Sequence, residues 1–184
     1  TLVTHNGLSG PCILRLSSYG ARYLAEHAYR ATLLVNWLGG ATQEEALDML
    51  CAMASGNGQK LVLNSRPEQL ASRHWEFLVS RAGIGRDVRW NGMGRRQMNR
   101  LAGVLIADSY AVVGRVPHKE EFVTAGGVSL GCVDSATLEC KSRSGLYFAG
   151  EVLDIDGITG GFNLQAAWTM ADTVARAVAA RINT

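Results

Sequence analysis

Apolar residues recur at intervals of three and four positions in five stretches of the chain, and this period predicts five helices. The helices are expected over residues 11–19, 43–54, 67–82, 94–105 and 164–178. Three of them follow one another in the middle of the chain, an order that is typical of a small helical bundle. Trp37, Trp75 and Met98 are interpreted as packing residues of this bundle.

Two of these helices begin with the sequence pattern of a capping box. Thr42 is followed three residues later by Glu45, and Ser65 is followed in the same way by Glu68. In this motif the two side chains accept hydrogen bonds from amide groups that the first helical turn leaves without partners. Gly83 is expected to end the second of the two helices.

Short runs rich in β-branched and aromatic residues predict strands between the helices. The strands are expected over residues 2–4, 29–38, 110–116, 122–124 and 146–149. The last run, Leu-Tyr-Phe-Ala, is too short for a helix and predicts a buried strand. Helices and strands together predict an α+β fold, and the shift in composition near Pro117 predicts a domain boundary.

Composition and charge exclude several classes of protein. The chain has 184 residues, of which 47% are hydrophobic, so it can bury a core and is not a disordered protein. A net charge of +2 does not by itself indicate a polyanionic partner. No apolar run approaches the ~18 residues of a membrane span, and no signal peptide is recognisable. A cytoplasmic location without a membrane partner is therefore expected, and the absence of an initial Met suggests a fragment.

The four cysteines lack the spacing of a zinc site or of a thioredoxin-like redox pair, so no metal is expected. They are interpreted as small buried hydrophobic residues with reduced thiols. A redox-active pair of Cys132 and Cys140 beside a cofactor is the less favoured alternative.

One basic segment argues for another class of function. Residues 81–100 contain six arginines but a single acid, Asp87, and Trp90 lies among them. Such a segment could follow a phosphate backbone with the indole as a stacking platform, or could bind the 2′-phosphate of NADPH or an acidic substrate. A solvated helix face is favoured because the rest of the chain is nearly neutral, so no nucleic-acid partner is expected.

The stretch from 145 to 170 carries the most informative pattern. The predicted strand 146–149 ends at Gly150 and Glu151, and a glycine-rich loop then leads into the last predicted helix. Glycines allow a backbone to approach a ligand closely, and a helix start favours an anionic or electron-rich group. The carboxylate of Glu151 would suit sugar or ribityl hydroxyls. A glycine-rich loop without a ligand is the structural alternative.

Four segments in this order resemble a known family: THNGLSGP (4–11), VTAGGVSL (123–130), TLECK (137–141) and GLYFAGEVLDIDGITGGFNLQAAW (145–168). They are similar to the BaiN-type, aminoacetone-oxidase-like family of NAD(P)/FAD-dependent flavoproteins. The resemblance implies an FAD-dependent oxidoreductase that transfers hydride through the flavin to or from a small-molecule substrate, with NAD(P)H as a possible donor. It does not identify a catalytic acid or base.

The resemblance also implies which residues lie against FAD. Gly150 and Glu151 would lie beside the ribityl and pyrophosphate groups, and the segment 160–163 would face the flavin ring from the helix start. The full set of cofactor-binding candidates is Gly126, Gly127, Val128, Gly150, Glu151, Asp154, Gly160, Gly161, Phe162 and Asn163, with Ala125 on the same turn as the first three. Two positions depart from the family pattern, because Phe162 stands where tyrosine is usual and Cys140 where serine is usual.

A dinucleotide-binding domain normally carries GxGxxG after its first strand, and this sequence contains no such motif. The resemblance therefore implies the carboxy-terminal portion of such an enzyme. Residues 1–117 would be the end of an inserted cap domain with its helical bundle, and residues 118–184 the closing strand, loop and helix of a Rossmann-like FAD domain. The chain alone is expected to be inactive, to need the missing amino-terminal half as a partner, and to self-associate. The alternative is a stand-alone module that binds nucleic acid or protein through residues 81–100.

Overall fold

The computed structural model describes residues 1–5, 7–115, 123–158 and 160–183. These residues form five α-helices, four short strands and several 3-10 turns. In chain order the elements are β1 (Leu2–Thr4), β2 (Gly7–Ser9), α1 (Pro11–Glu26), β3 (Ala31–Val35), α2 (Gln43–Asn57), α3 (Ser72–Arg81), α4 (Arg95–Ile106), β4 (Asp108–Val112) and α5 (Phe162–Ile182). The predicted mixture of helices and strands is confirmed.

The chain divides into two compact units. The helical unit is Arg30–Val113, and the discontinuous unit combines Thr1–Tyr29 with Gly114–Thr184. This division differs from the predicted one, because the first 29 residues belong with the carboxy-terminal segment and not with the helices that follow them. The predicted boundary at Pro117 lies outside the described residues.

The helical unit is built around the predicted bundle. Helices α2, α3 and α4 pack together, and Leu50, Trp75 and Leu101, one from each helix, are fully buried between them. Met98 is buried and Trp37 packs against the same core, so their interpretation as packing residues is confirmed. Trp90 is also buried, so it cannot serve as the stacking platform of the less favoured nucleic-acid alternative.

One predicted capping box is present and the other is not. At the start of α2 the amide of Glu45 donates to the Thr42 hydroxyl at 3.2 Å, and the Thr42 amide donates to Glu45 Oε2 at 2.8 Å. Helix α3 begins at Ser72 and not at the predicted residue 67. The guanidinium of Arg66 donates to the carbonyls of Glu68 at 3.2 Å and of Leu70 at 2.5 Å, which stabilises a turn where the helix was expected.

Strands β3 and β4 form an antiparallel pair beside the bundle, with Val35 opposite Asp108. Asp108 is fully buried, and its carboxylate accepts hydrogen bonds from Trp37 Nε1 at 3.0 Å and from the Tyr110 hydroxyl at 2.5 Å. The Arg81 guanidinium pairs with the other carboxylate oxygen. Burial, together with the hydrogen bond to Asp108, raises the pKa of Tyr110 to about 12.

The discontinuous unit contains β1, β2, α1 and α5. The predicted strand 2–4 is confirmed and pairs antiparallel with β2. Pro11 stands at the first turn of α1 after Gly10, as helix starts favour. Helix α1 continues to Glu26, beyond the predicted end at residue 19, and α5 confirms the predicted carboxy-terminal helix.

Two predicted strands in this unit are not found. Within residues 146–149 only Tyr147 pairs, through an isolated bridge with Glu139, and Leu146 is exposed. The segment is therefore the arm of a tight turn and not a buried strand. Phe122 lies outside the described residues, and residues 123 and 124 are not in a strand. The described helices include none that is long and apolar enough to cross a membrane.

The cysteines differ from their interpretation as buried residues. Cys12, Cys51 and Cys132 are exposed and Cys140 is partly buried, and all four have free thiols. On α2 the buried residues are Ala46 and Leu50, and Cys51 is exposed.

Candidate functional site

The candidate site, called the glycine site here, consists of residues 124–128, 150–157 and 160–163 of the discontinuous unit. Its first two segments lie side by side. Val128 pairs with Leu153 in a parallel bridge. The Val128 amide donates to the Val152 carbonyl at 2.8 Å, and the Asp154 amide donates to the Val128 carbonyl at 2.9 Å. The two loops that carry most of the predicted site residues are thus held together by backbone hydrogen bonds.

Gly127 makes this contact possible. A Cβ atom at this position would lie 2.6 Å from the Val152 carbonyl oxygen and 2.7 Å from the Leu153 carbonyl carbon. Both neighbours are backbone atoms that cannot move away without breaking the bridge. Only glycine therefore fits at position 127. The close packing of two backbone segments of this chain explains that requirement.

Gly150 and Glu151 form the next part of the site. Gly150 has φ 78°, opens a 3-10 turn over Gly150–Val152, and its amide approaches the sulfur of Met170 on α5 at 3.3 Å. The exposed carboxylate of Glu151 accepts a hydrogen bond from the Thr124 amide at 2.9 Å. This contact fixes the side chain over the segment that leads to Gly126, with its carboxylate still open to solvent.

Asp154 and Asp156 are held by α1, which sequence reasoning did not connect to the site. Arg22 Nη2 donates to both carboxylate oxygens of Asp154, at 2.5 and 2.6 Å, and the Ser18 hydroxyl donates to Asp156 at 3.1 Å. The hydrogen bond with Asp154 raises the pKa of Arg22. Ser18 and Arg22 are four residues apart and so share one helix face. The four-residue spacing of Ser18 and Arg22 was visible in the sequence. Nothing in the sequence indicated that these side chains contact Asp156 and Asp154.

The third segment, residues 160–163, leads into α5 and is bonded to the loop before it. Asn163 Oδ1 accepts from the Gly157 amide at 2.6 Å, and Asn163 Nδ2 donates to the Gly157 carbonyl at 3.2 Å. The Asn163 carboxamide therefore folds the preceding loop back onto the helix. A Cβ at Gly157 would lie 3.0 Å from the Phe162 Cβ, so this position is also restricted to a small residue.

The amino terminus of α5 has no side-chain cap. Gly161 occupies the N-cap position with φ 90°, and apart from Gly161 itself and its two chain neighbours no described residue comes within 4 Å of where its Cβ would stand. The first turn contains no acidic residue, and the helix runs for 21 residues. The residue at the N-cap position therefore offers no side chain to the first amide groups of α5 or to its positive dipole end, and the neighbouring Phe162 side chain is 63% exposed.

Together these contacts define what the site can do chemically. It offers backbone N–H donors at a helix start, a backbone that a ligand can approach at Gly126 and Gly161, and a carboxylate acceptor at Glu151. This combination suits a ligand with hydroxyl groups and an anionic or electron-rich portion. Within the described ranges no three His, Cys, Asp or Glu side chains are grouped so that they could hold a metal ion.

Comparison with known proteins shows extended similarity. The family described as HI0933-like protein Rossmann domain matches residues 10–177. Ribosomal RNA dihydrouridine synthases of Haemophilus influenzae and Escherichia coli are 30% and 31% identical over 170 residues, which are 92% of this chain and 40% of each relative. The 3-dehydro-bile acid delta(4,6)-reductase of Clostridium scindens is 51% identical over 59 residues, 32% of this chain and 14% of that protein.

These matches confirm the resemblance seen in the sequence motifs. The chain spans 40% of the length of the two synthases, and its place within such a protein, as a carboxy-terminal portion, stays a prediction. The family match is not confined to the glycine site, since it begins at residue 10 and includes the helical unit. The chain belongs to the family of HI0933-like proteins with a Rossmann domain.

Proposed function

We propose that this chain supplies part of the FAD site of a flavin-dependent oxidoreductase that reduces a carbon–carbon double bond. The observation that carries the proposal is the meeting of the glycine-rich segments beside the uncapped start of α5. Family membership supports a Rossmann-type dinucleotide site. The motifs that resemble those of flavoproteins fall on these same residues.

The residues present fit FAD. Gly126 has φ 112°, and apart from its chain neighbours no described residue comes within 4 Å of the position of its absent Cβ, so a ligand can reach the backbone there as it can at Gly161. Glu151 would accept hydrogen bonds from ribityl hydroxyls, and the amides at the start of α5 would face the electron-rich edge of the ring. When bound, FAD would supply a redox centre that accepts and delivers hydride.

The names of the relatives support the reaction class. A dihydrouridine synthase forms a nucleoside whose ring double bond has been reduced, and a delta(4,6)-reductase removes double bonds from a bile acid. Both names describe addition of hydrogen across a carbon–carbon double bond. We extend this class of reaction to the protein of which this chain is part, with NAD(P)H as the proposed donor of the electrons.

Gly161 provides the test of the cofactor site. Asparagine tolerates the left-handed backbone that φ 90° requires, but its side chain would project in front of the helix start. In the whole protein we therefore expect Gly161→Asn to remain folded and to lose bound flavin, measured by visible absorbance per mole of protein. Gly161→Val adds backbone strain to the obstruction, so both folding and flavin content should fall.

The control is Gly39→Asn, at a glycine of the helical unit with φ 74° and open surroundings. It should leave the flavin content unchanged. If Gly161→Asn retains stoichiometric flavin with an unchanged circular dichroism spectrum, this glycine serves only the backbone geometry, and the proposed site is wrong. A whole protein that purifies without flavin bands and binds no added FAD would refute the proposed function altogether.

A further inference from the structure

Helix α1 brings a charged side chain to the glycine site. Ser18 and Arg22 stand on one face of this helix, and their side chains meet the segment 150–157. We propose that Arg22 is a positioning residue of the FAD site, which holds this segment through Asp154 and does not itself bind the cofactor. The inference rests on the proposed function, because it assigns a role within the same cofactor site.

The contact between Arg22 and Asp154 uses both oxygens of the carboxylate. Arg22 Nη2 lies 2.5 Å from one oxygen and 2.6 Å from the other. The Asp154 side chain is 26% exposed, so most of it is withdrawn from solvent. An ionised carboxylate can only accept hydrogen bonds, and both oxygens of this one already face a cation. Asp154 is therefore better suited to anchor its segment than to bind the phosphate groups of a cofactor.

The anchored residue is bonded directly to the other loop of the glycine site. The Asp154 amide donates to the Val128 carbonyl at 2.9 Å, and the Val128 amide donates to the Val152 carbonyl at 2.8 Å. Leu153, between the two bonded positions, is fully buried. Movement of Asp154 would therefore disturb the backbone around Gly126, which is one of the two places where a ligand can reach the backbone.

A second contact from α1 lies two residues further along the segment. The Ser18 hydroxyl donates to the Asp156 carboxylate at 3.1 Å. The next residue, Gly157, is bonded in both directions to the Asn163 carboxamide, at 2.6 and 3.2 Å. The segment is thus held by α1 at positions 154 and 156 and by the start of α5 at position 157. Ser18 gives one hydrogen bond, whereas Arg22 sets a full positive charge against two oxygens.

The exposure of Arg22 separates this role from a role in folding. Its side chain is 66% exposed, and ion pairs with an exposed partner contribute little to the stability of a fold because water and salt screen them. Removal of the guanidinium should therefore leave the fold intact and loosen the segment that it holds. Local opening of a loop can occur without unfolding of the domain.

The first measurement follows the segment without the cofactor. Hydrogen exchange of backbone amides, read by mass spectrometry, compares Arg22→Gln with the unchanged whole protein after flavin has been removed from both. Loss of the ion pair should speed exchange in peptides that contain residues 126–128 and 152–157, while the circular dichroism spectrum stays the same. Unchanged exchange in these peptides would overturn the proposal, whatever the affinity of the protein for FAD.

The second measurement separates positioning from direct binding by titration of the whole protein with FAD. Arg22→Gln and Asp154→Asn should each weaken FAD binding roughly tenfold, a size typical of residues in contact. The double variant should bind no more weakly than either single variant, because both substitutions break the same contact. Arg22→Lys keeps the charge and should recover part of the affinity. A further loss on adding Asp154→Asn to Arg22→Gln would show that Asp154 binds FAD directly, and the positioning role would be wrong.

The matched control is Arg176→Gln with Asp172→Asn, which breaks an exposed arginine–aspartate pair of α5 with a distance of 2.8 Å. It should change neither the exchange of the segment nor the affinity for FAD, and an effect as large as that of Arg22→Gln would overturn the proposal. Normal FAD binding by Arg22→Gln refutes the positioning role alone. A protein that binds no FAD in any of its forms refutes the proposed function and the positioning role with it.

Discussion

Asp108 shows what one buried charge requires of its neighbours. A carboxylate removed from water is strongly unfavourable unless its oxygens are paired. Here Trp37 and Tyr110 donate to one oxygen, and Arg81 pairs with the other. The aspartate stands at the first position of β4, so the network fixes where the strand begins relative to α3.

The first prediction at this scale compares two ion pairs. Arg81→Ala leaves the carboxylate of Asp108 buried without its cation and should lower the free energy of unfolding by about 3 kcal/mol. Arg86→Ala removes an exposed pair with Glu76 and should lower it by less than about 1 kcal/mol. Urea unfolding of both variants measures the difference. Equal losses would show that Arg81 contributes no more than a surface ion pair does.

The reason why a position needs glycine also depends on the atoms and the backbone geometry around it. Gly127 is required because backbone atoms of the neighbouring segment lie where its side chain would be. At Gly161 the left-handed φ of 90° favours glycine over most other residues, although the position of its absent Cβ is open. Both positions were predicted as cofactor contacts from the motif. Their roles within the fold could not be separated from ligand binding without coordinates.

At the scale of elements, helices with a regular apolar period were predicted well. Helices α2 and α4 start within a residue of their expected positions, and at α2 the capping box of Thr42 and Glu45 is the local signal. The start of α3 was wrong, since the Arg66 side chain stabilises a competing turn. The apolar run 146–149 was also misjudged. A strand needs a neighbour with which to pair, and the run alone does not reveal one.

The element-scale prediction concerns the arginines at the start of α4. Arg96→Glu places a carboxylate at the positive end of the helix dipole and should raise the free energy of unfolding by about 0.5 kcal/mol. Arg96→Gln should give a smaller gain. Thermal unfolding measures these changes, and a loss of stability in both variants would contradict the dipole argument.

At the scale of the whole molecule, local motifs pointed to the residues of the glycine site but not to the distant side chains that contact them. The candidate residues in segments 124–128, 150–157 and 160–163 were named from the family resemblance of the motifs that contain them. Arg22 lies 132 positions before its partner Asp154, and a contact at that separation leaves no periodic trace in one sequence. Likewise, α5 was predicted as a helix, but the exposure of Leu164 and Trp168 on it was not. Such exposed apolar side chains favour the expected self-association, which stays a prediction.

The last prediction concerns how much of the FAD site this sequence can supply. Its contacts come from the glycine site, whereas the pyrophosphate of a dinucleotide normally rests on a GxGxxG loop and the helix that follows. No such motif occurs in the 184 residues. Loss of about 4 kcal/mol of binding free energy weakens a dissociation constant roughly a thousandfold. The chain purified alone should therefore be colourless, without oxidoreductase activity, and show no sub-micromolar binding of FAD by isothermal titration.

Binding should appear when a polypeptide that carries the GxGxxG segment of a related flavoprotein is joined to the chain or mixed with it. The same polypeptide with its glycines replaced by alanine is the matched control, because it lacks the close approach to the pyrophosphate. A one-to-one, sub-micromolar isotherm with the isolated chain would show that the glycine site suffices for FAD. In that case Glu151 and the start of α5 would supply the binding free energy assigned here to the GxGxxG loop.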